Sequence, residues 1–340
     1  MTENLPKVRA PSIRDVARLA GVSHQTVSRV LNNHPSIRET TKARVLQVME
    51  DLQYRPNRAA RALSRGRSRT IGILSAQSSE YGPASSIAAI QDAAREAGYY
   101  VNTANLTTVD QESIEAALMH LMLQAVEGIV VIAPQVRVFD VLEQLSITVP
   151  FVSLQSTGHL DDHALSVDQI AGARLATRHL IDLGHRRIYH LAGPQDWIEA
   201  EARMRGFLDE MGAMDVPTTA PILGDWTADF GYHAGRELFG RRDFTAIFSS
   251  NDQMALGLMH AARDAGLDIP RDISIVGFDD IPEAAHFWPP LTTVRQDFGE
   301  LGRRCIALLL SNLPGGEPIV DRDPIMPRLI VRESTAPPAF

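Results

Sequence analysis

SIRDVARLAGVSHQTVSRVLN, residues 12–32, reads as two short helices joined by a tight turn. Ser12 stands where a helix N-cap belongs, and Asp15, three residues on, can return a bond to the cap's own backbone. Ile13, Val16, Ala17 and Ala20 then recur at i, i+3, i+4 and i+7, which makes one apolar stripe. Gly21 ends that helix, because a glycine takes a positive φ at no steric cost. Ser23 can cap a second helix whose Val27, Val30 and Leu31 turn inward. Its other face carries His24, Gln25, Ser28, Arg29 and Asn32. All five can hydrogen-bond and none is acidic, which is what a helix needs to read base edges in a major groove.

A polar helix face is also what any solvated hairpin shows. The charge distribution favours the DNA reading. Residues 1–70 hold 14 Lys+Arg against 5 Asp+Glu, a charge of +9, whereas the other 270 residues carry −17 within a chain total of −8. A basic head neutralises phosphates, and an acidic body avoids sticking to the same polyanion. Outward from residue 32, a third helix is expected over about Glu39–Gln53, with Val45, Met49 and Leu52 on one side, to complete an all-α head over 1–55. Tyr54-Arg55-Pro56 breaks it. NRAARALSRGRSRT, residues 57–70, follows with five arginines and no acid. Asn57 could cap a short helix there that is too short to stand alone in water. The segment reads either as a basic linker or as one that folds only against DNA.

The chain is too long for one ordinary domain and rich enough in apolar residues, 44%, to bury large cores. It has no run of about 18 apolar residues, so no membrane span is expected. No apolar stretch in the N-terminal residues resembles a secretory signal, and a single cysteine, Cys305, rules out an intrachain disulfide. A cytoplasmic location is the expectation. Cys305 lies at helical spacing from Leu301, Leu308 and Leu309, as a core residue would. The histidines show no metal-ligand spacing, so no metal is expected.

From Thr70 the pattern alternates strand and helix. Strand-like runs fall at 70–75, 99–104, 128–133, 150–154, 187–193, 221–225, 246–250 and 273–278. Helical patterns between them are often closed by glycine, as at Gly98, Gly184, Gly212 and Gly266. Continuous apolar strands alternating with amphipathic helices predict parallel sheets covered on both faces. Eight such strands suit two doubly wound α/β subdomains, in which ligands collect at the carboxyl ends of strands. Those ends carry Gln155, Asp225-Trp226, Asn251-Asp252 and Asp279-Asp280. Amides and carboxylates beside an indole suit a sugar, whose hydroxyls need polar partners and whose C–H face packs on a ring. Asn251 and Asp279 read as ligand groups, Asp252 and Asp280 as caps of following helices. Adjacent Asp279 and Asp280 point apart on an extended segment and make no catalytic pair. No GxGxxG follows a strand, and neither GxxxxGK[ST] nor GxSxG occurs, so no nucleotide cofactor, no catalytic residue and no enzyme are expected.

DVARLAGVSHQTVSRVLN (15–32), YRPNRAARAL (54–63), ISIVGFDD (273–280) and PPLTTVRQDF (289–298) together resemble the LacI/GalR family of bacterial transcription regulators over nearly the whole chain. The resemblance implies a helix-turn-helix head (1–55), a hinge helix and linker (56–69) and a core (70–340) built like periplasmic binding proteins. The core would divide into about 70–156 plus 297–318 and about 157–296 plus 319–335. It implies that His24, Gln25 and Arg29 read bases and that Leu63 wedges into the minor groove. The DNA-facing set is completed by Ser12, Ser23, Thr26, Ser28, Asn32, Asn57, Arg58 and Arg61. The family's effector arginine, in R-x-x-G-[FW], matches Arg203 before Gly206-Phe207. Trp226, Asn251, Asp279, Gln296, Phe298 and Gln155 match other effector positions. The implied partners are a pseudo-palindromic double-stranded DNA operator, a second copy of the chain and a mono- or disaccharide. A purine or another non-sugar effector, or action with a corepressor, is the alternative. The terminal ESTAPPAF has no leucine heptads, which implies a dimer.

Overall fold

The computed structural model describes residues 11–32, 34–55, 67–76, 80–106, 108–133, 135, 138, 141, 149–154, 164–241, 243–318 and 323–339. The chain divides into two compact units, Met1–Ser68 and Arg69–Phe340.

In the first unit, α1 (Ile13–Leu19), α2 (His24–Leu31) and α3 (Glu39–Asp51) pack around Val16, Ala20, Val27, Val30 and Val45. The capping box is made on both sides. Ser12 Oγ accepts from the Asp15 N–H at 3.4 Å, and the Ser12 N–H donates to Asp15 Oδ2 at 2.9 Å. Gly21 turns the chain at φ +62°, and Ser23 Oγ then accepts the Thr26 N–H at 3.1 Å. Leu31, Met49, Leu52 and Tyr54 close the rim of this small core. Asn57, Arg58, Arg61 and Leu63, and with them the expected hinge helix, lie outside the described residues.

The second unit holds two sheets. The first is parallel, in the order β2-β1-β3-β4-β5: β1 (Thr70–Ala76), β2 (Tyr100–Leu106), β3 (Gly128–Ile132), β4 (Phe151–Leu154) and β5 (Ala164–Leu165). One face is covered by α4 (Tyr81–Glu96) and α10 (Phe298–Ser311), through Ile90, Leu301 and Leu309 against Ile71, Ile73 and Val130. The other is covered by α5 (Gln111–Leu123), through Ile114, Leu118 and Leu121. The second sheet runs β11-β10-β9-β8-β6-β7, with β6 (Ile188–Ala192), β7 (Ile222–Leu223), β8 (Ala246–Ser249), β9 (Ser274–Asp279), β10 (Thr292–Arg295) and β11 (Arg328–Ile330). It is parallel except at β11. Helices α6 (Gln169–Asp182) and α7 (Ile198–Ala213) cover one face around Phe207, Phe248 and Phe278. Helices α8 (Ala228–Phe239) and α9 (Asp252–Asp264) cover the other around Leu238, Met254 and Leu258.

Each of the eight strand-like runs forms a strand, and β5, β10 and β11 join them. Because β5 pairs with β4, the first sheet continues past residue 156, where that subdomain was expected to stop. Gly98, Gly184 and Gly266 end α4, α6 and α9 at φ +76°, +103° and +69°; Gly212 instead lies within α7. Cys305 is fully buried in α10, and burial pushes its thiol up to about 12, so it packs rather than reacts. Among the described residues, no helix is long and apolar enough to cross a membrane. No group of His, Cys, Asp and Glu could hold a metal ion there.

Candidate functional site

The head offers one outward face. His24, Gln25 and Arg29 of α2 are exposed, while Thr26, Ser28 and Asn32 are half-buried beside them. Ser12 and Ser23 use their hydroxyls as caps. Two valines, Val27 and Val30, anchor the opposite face of α2 in the core. That fixes which side chains turn outward, since a helix presents positions 24, 25, 28, 29 and 32 together. With no acid in its first turn, α2 keeps the positive end of its dipole available to phosphate.

The core offers one cleft lined from both of its sheets. Glu80, Tyr81 and Pro83 from the start of α4, Leu154 at the end of β4 and Phe298 at the start of α10 line one wall. Gln169, Trp197, Glu199, Arg203, Trp226, Asn251, Asp279 and Gln296 line the other. Six of the seven residues anticipated as effector ligands thus share one cleft; the seventh, Gln155, lies outside the described residues.

Four buried side chains close a ring. Arg203 Nε donates to Gln169 Oε1 at 2.8 Å, Gln169 Nε2 to Gln296 Oε1 at 2.7 Å, and Gln296 Nε2 to Asp279 Oδ1 at 2.7 Å. Arg203 Nη2 completes it, donating to Asp279 Oδ1 at 3.2 Å. Arg203 Nη1 also donates to the Ser250 carbonyl. The guanidinium lies over the Phe278 ring at 3.9 Å and 5.5 Å from the Trp226 ring centre, so its charge meets two aromatic faces. Burial pushes the Asp279 carboxyl above its usual range, while Arg203 and Gln296 pull it back. Gly206, one turn after Arg203, explains the spacing of the motif. A Cβ there would stand 2.5 Å from the Ile170 carbonyl, so glycine lets α7 seat against α6, which carries Gln169.

Trp226 forms a wall of the cleft. It is 5% exposed, with φ +73°, and meets Trp197 edge-on at 5.4 Å. Its ring covers Gly193, where a Cβ would come within 2.2 Å of the indole. Phe298 meets Tyr81 edge-on at 5.9 Å.

At the strand ends the capping roles differ from expectation. Asn251 is the N-cap of α9: its Oδ1 accepts the Met254 N–H at 2.9 Å, and its Nδ2 donates to the Trp226 carbonyl at 2.9 Å. Asn251 therefore lines the cleft and braces Trp226 with polar atoms already engaged. Asp252, expected as that cap, is instead the first helical residue, accepting from Thr293 Oγ1 at 2.6 Å and the Ile281 N–H at 2.9 Å. Asp280 caps no helix either. It receives Arg295 and Arg332, whereas Asp279 receives Arg203 and Gln296. Sequence reasoning also missed Gln169, Trp197, Glu199 and Glu80. The first follows a two-residue strand too short to recognise, and the others sit at helix starts, the two glutamates where polar residues are ordinary.

Two families of known sequence match the chain, the periplasmic binding protein-like domain over residues 177–335 and the bacterial regulatory proteins of the lacI family over residues 12–57. The lactose operon repressor of Escherichia coli (strain K12) is 32% identical over 329 residues, 96% of this chain and 91% of that protein. The crystal structure of the lac repressor dimer bound to operator and the anti-inducer ONPF superposes with a TM-score of 0.84 at 31% identity, over 96% of this chain and all of that one. A complex of the transcriptional regulator CelR with cellobiose does so at 0.68 and 30% identity, over 95% and 99%. A helix-turn-helix head with a two-sheet binding core defines a DNA-binding transcription regulator rather than an enzyme. The chain belongs to the LacI family of bacterial regulatory proteins.

Proposed function

We propose that the chain is a homodimeric repressor whose hold on a pseudo-palindromic operator is switched by a mono- or disaccharide bound in the core cleft. The observation that carries the saccharide is the joined set of Arg203, Asp279, Gln169 and Gln296 beside Trp226. Planar amide, carboxylate and guanidinium groups match the paired hydroxyls of a pyranose, and the indole matches its C–H face. A ligand touching Tyr81 and Phe298 on one wall and Arg203 and Asp279 on the other favours the closed cleft. Its differential affinity for that form sets how far operator binding can shift.

Dimerisation is supported by the structure of the relative and by arithmetic: one recognition helix contacts too few base pairs for genomic specificity, and two double the readout. His24, Gln25 and Arg29 are the base-reading residues in this proposal, with Ser12, Ser23, Thr26, Ser28 and Asn32 placing the head. Leu63 and the arginines near it act at the operator centre. In the test, a high-affinity duplex is selected from random DNA with the full chain, and its binding is titrated with mono- and disaccharides and with purines. Release or tightening by a saccharide is the expected result. A response to a purine alone, or selected sites without two-fold symmetry, would refute the proposal.

A further inference from the structure

Two residues that line the cleft each carry a buried polar atom without a hydrogen-bond partner: the Trp226 indole Nε1, a donor, and Glu199 Oε2, an acceptor when ionised. Both are shut off from solvent. Buried donors and acceptors are almost always paired, so an unpaired one of each kind at the same cleft marks places for ligand atoms. Glu199 stands in the first turn of α7, four residues before Arg203 and on the same face of the helix. Burial pushes its carboxyl up to about 7; Asp279 adds to the rise, and Arg203 and the residue's own N–H oppose it. Glu80 brings a second carboxyl from the other wall, raised by burial and then by Asp279 and Asp225. Among the described lining residues Arg203 is the one cation, and its Nε, Nη1 and Nη2 already bind Gln169, Ser250 and Asp279.

We propose that Glu199 is an effector-binding residue that makes the cleft select an uncharged saccharide over phosphorylated and carboxylated ones. This rests on the saccharide reading above and names its chemical class. A hydroxyl is both donor and acceptor, so hydroxyls can satisfy the indole N–H and the Glu199 carboxylate alike. An ionised phosphate or carboxylate accepts from the indole but has nothing to donate to an ionised Glu199. It also adds negative charge to a cleft that already holds Glu80, Glu199 and Asp279, and the one guanidinium is engaged. An ammonium donates to Glu199 and leaves the indole unpaired.

The test uses the intrinsic fluorescence of Trp197 and Trp226 in the full-length protein at pH 7.5. The titrants are glucose, galactose, ribose, lactose and cellobiose, set against glucose 6-phosphate, galactose 1-phosphate and glucuronate. The tightest ligand is expected to be uncharged, with anionic sugars at least 100-fold weaker. Glu199→Ala should weaken the tightest ligand at least tenfold. Glu199→Gln should narrow the gap between uncharged and anionic sugars at least tenfold. Thermal melting of each variant at or above the wild-type temperature assigns these losses to the contact rather than to unfolding. An anionic sugar binding as tightly as its uncharged counterpart, or unchanged binding by Glu199→Ala, overturns the selectivity while the saccharide reading stands. If no sugar of either kind binds, the saccharide reading itself has failed and this inference falls with it.

Discussion

Arg203 and Asp279 form a buried pair, 6% exposed at each side chain, and that geometry predicts a specific pattern of losses on mutation. At 3.2 Å and an effective dielectric constant of about 20, their attraction is about 5 kcal/mol. Removing two charges from water costs several kcal/mol per ion, so the intact pair stabilises the fold little in net terms. Removing one partner is different. Asp279→Ala leaves a guanidinium buried without its counter-ion and the Gln296 amide without its acceptor, and should cost about 3–5 kcal/mol. Arg203→Met strands a carboxylate and should cost a similar amount, less whatever Asp279 recovers by taking up a proton. The double variant buries neither charge, so its loss should be within about 2 kcal/mol of the wild type, a coupling of about 4 kcal/mol or more. Thermal melts of the three variants read this directly. The single variants should melt about 6–10 °C lower, at about 2 °C per kcal/mol for a unit of this size, and the double variant should recover most of that. All three should lose the effector response. Losses that simply add in the double variant would refute the reasoning.

The raised Glu199 carboxyl binds a proton in the folded state up to about pH 7 but in the unfolded chain only to the ordinary glutamate range. The ligand-free protein should therefore lose stability as pH rises from about 4.5 to about 7, by up to about 3 kcal/mol, and Glu199→Gln should flatten that slope in melting curves. Gly193→Ala places a methyl group against the Trp226 ring, and should cost about 1–3 kcal/mol of stability and weaken ligand binding in fluorescence titrations. Arg29→Ala should weaken binding to the selected operator by about 1–3 kcal/mol and relax its preference at one position, read by anisotropy on single-base variants; an equal loss on random DNA contradicts a base-reading role.

Much of this architecture is legible before any coordinates, because it depends on short-range chemistry. Ser12 and Ser23 announce helix starts through the bonds they can make to the next turn, and Gly21, Gly98, Gly184 and Gly266 announce ends through the φ they adopt. Buried parallel strands such as β3 and β8 are continuous apolar runs. The resemblance and the strand-end rule together pointed to Arg203, Trp226, Asn251, Asp279, Gln296 and Phe298, which share one cleft. Long-range pairing was not legible. Gln169 reaches Arg203 across 34 positions of sequence and Gln296 across 127, and nothing local marks it. The capping role moved from Asp252 to Asn251 because both can cap, and only the tertiary contact of Asp252 with Thr293 on β10 decides which one is free to do so. Two- and three-residue strands such as β5 and β11 carry no periodicity to read.

Trp226, Asp279 and Asp280 all hold φ values, +73°, +108° and +53°, that suit glycine better than a side chain. Such positions cost of order 1–3 kcal/mol each, least where aspartate tolerates the conformation and most at the tryptophan. Glycine at residue 226 would relieve that strain and still lower stability, because emptying the buried site of the indole costs about 3–5 kcal/mol. Directed evolution of this scaffold that replaces Trp226 must therefore refill the same space, since one side chain serves both the core and the cleft wall.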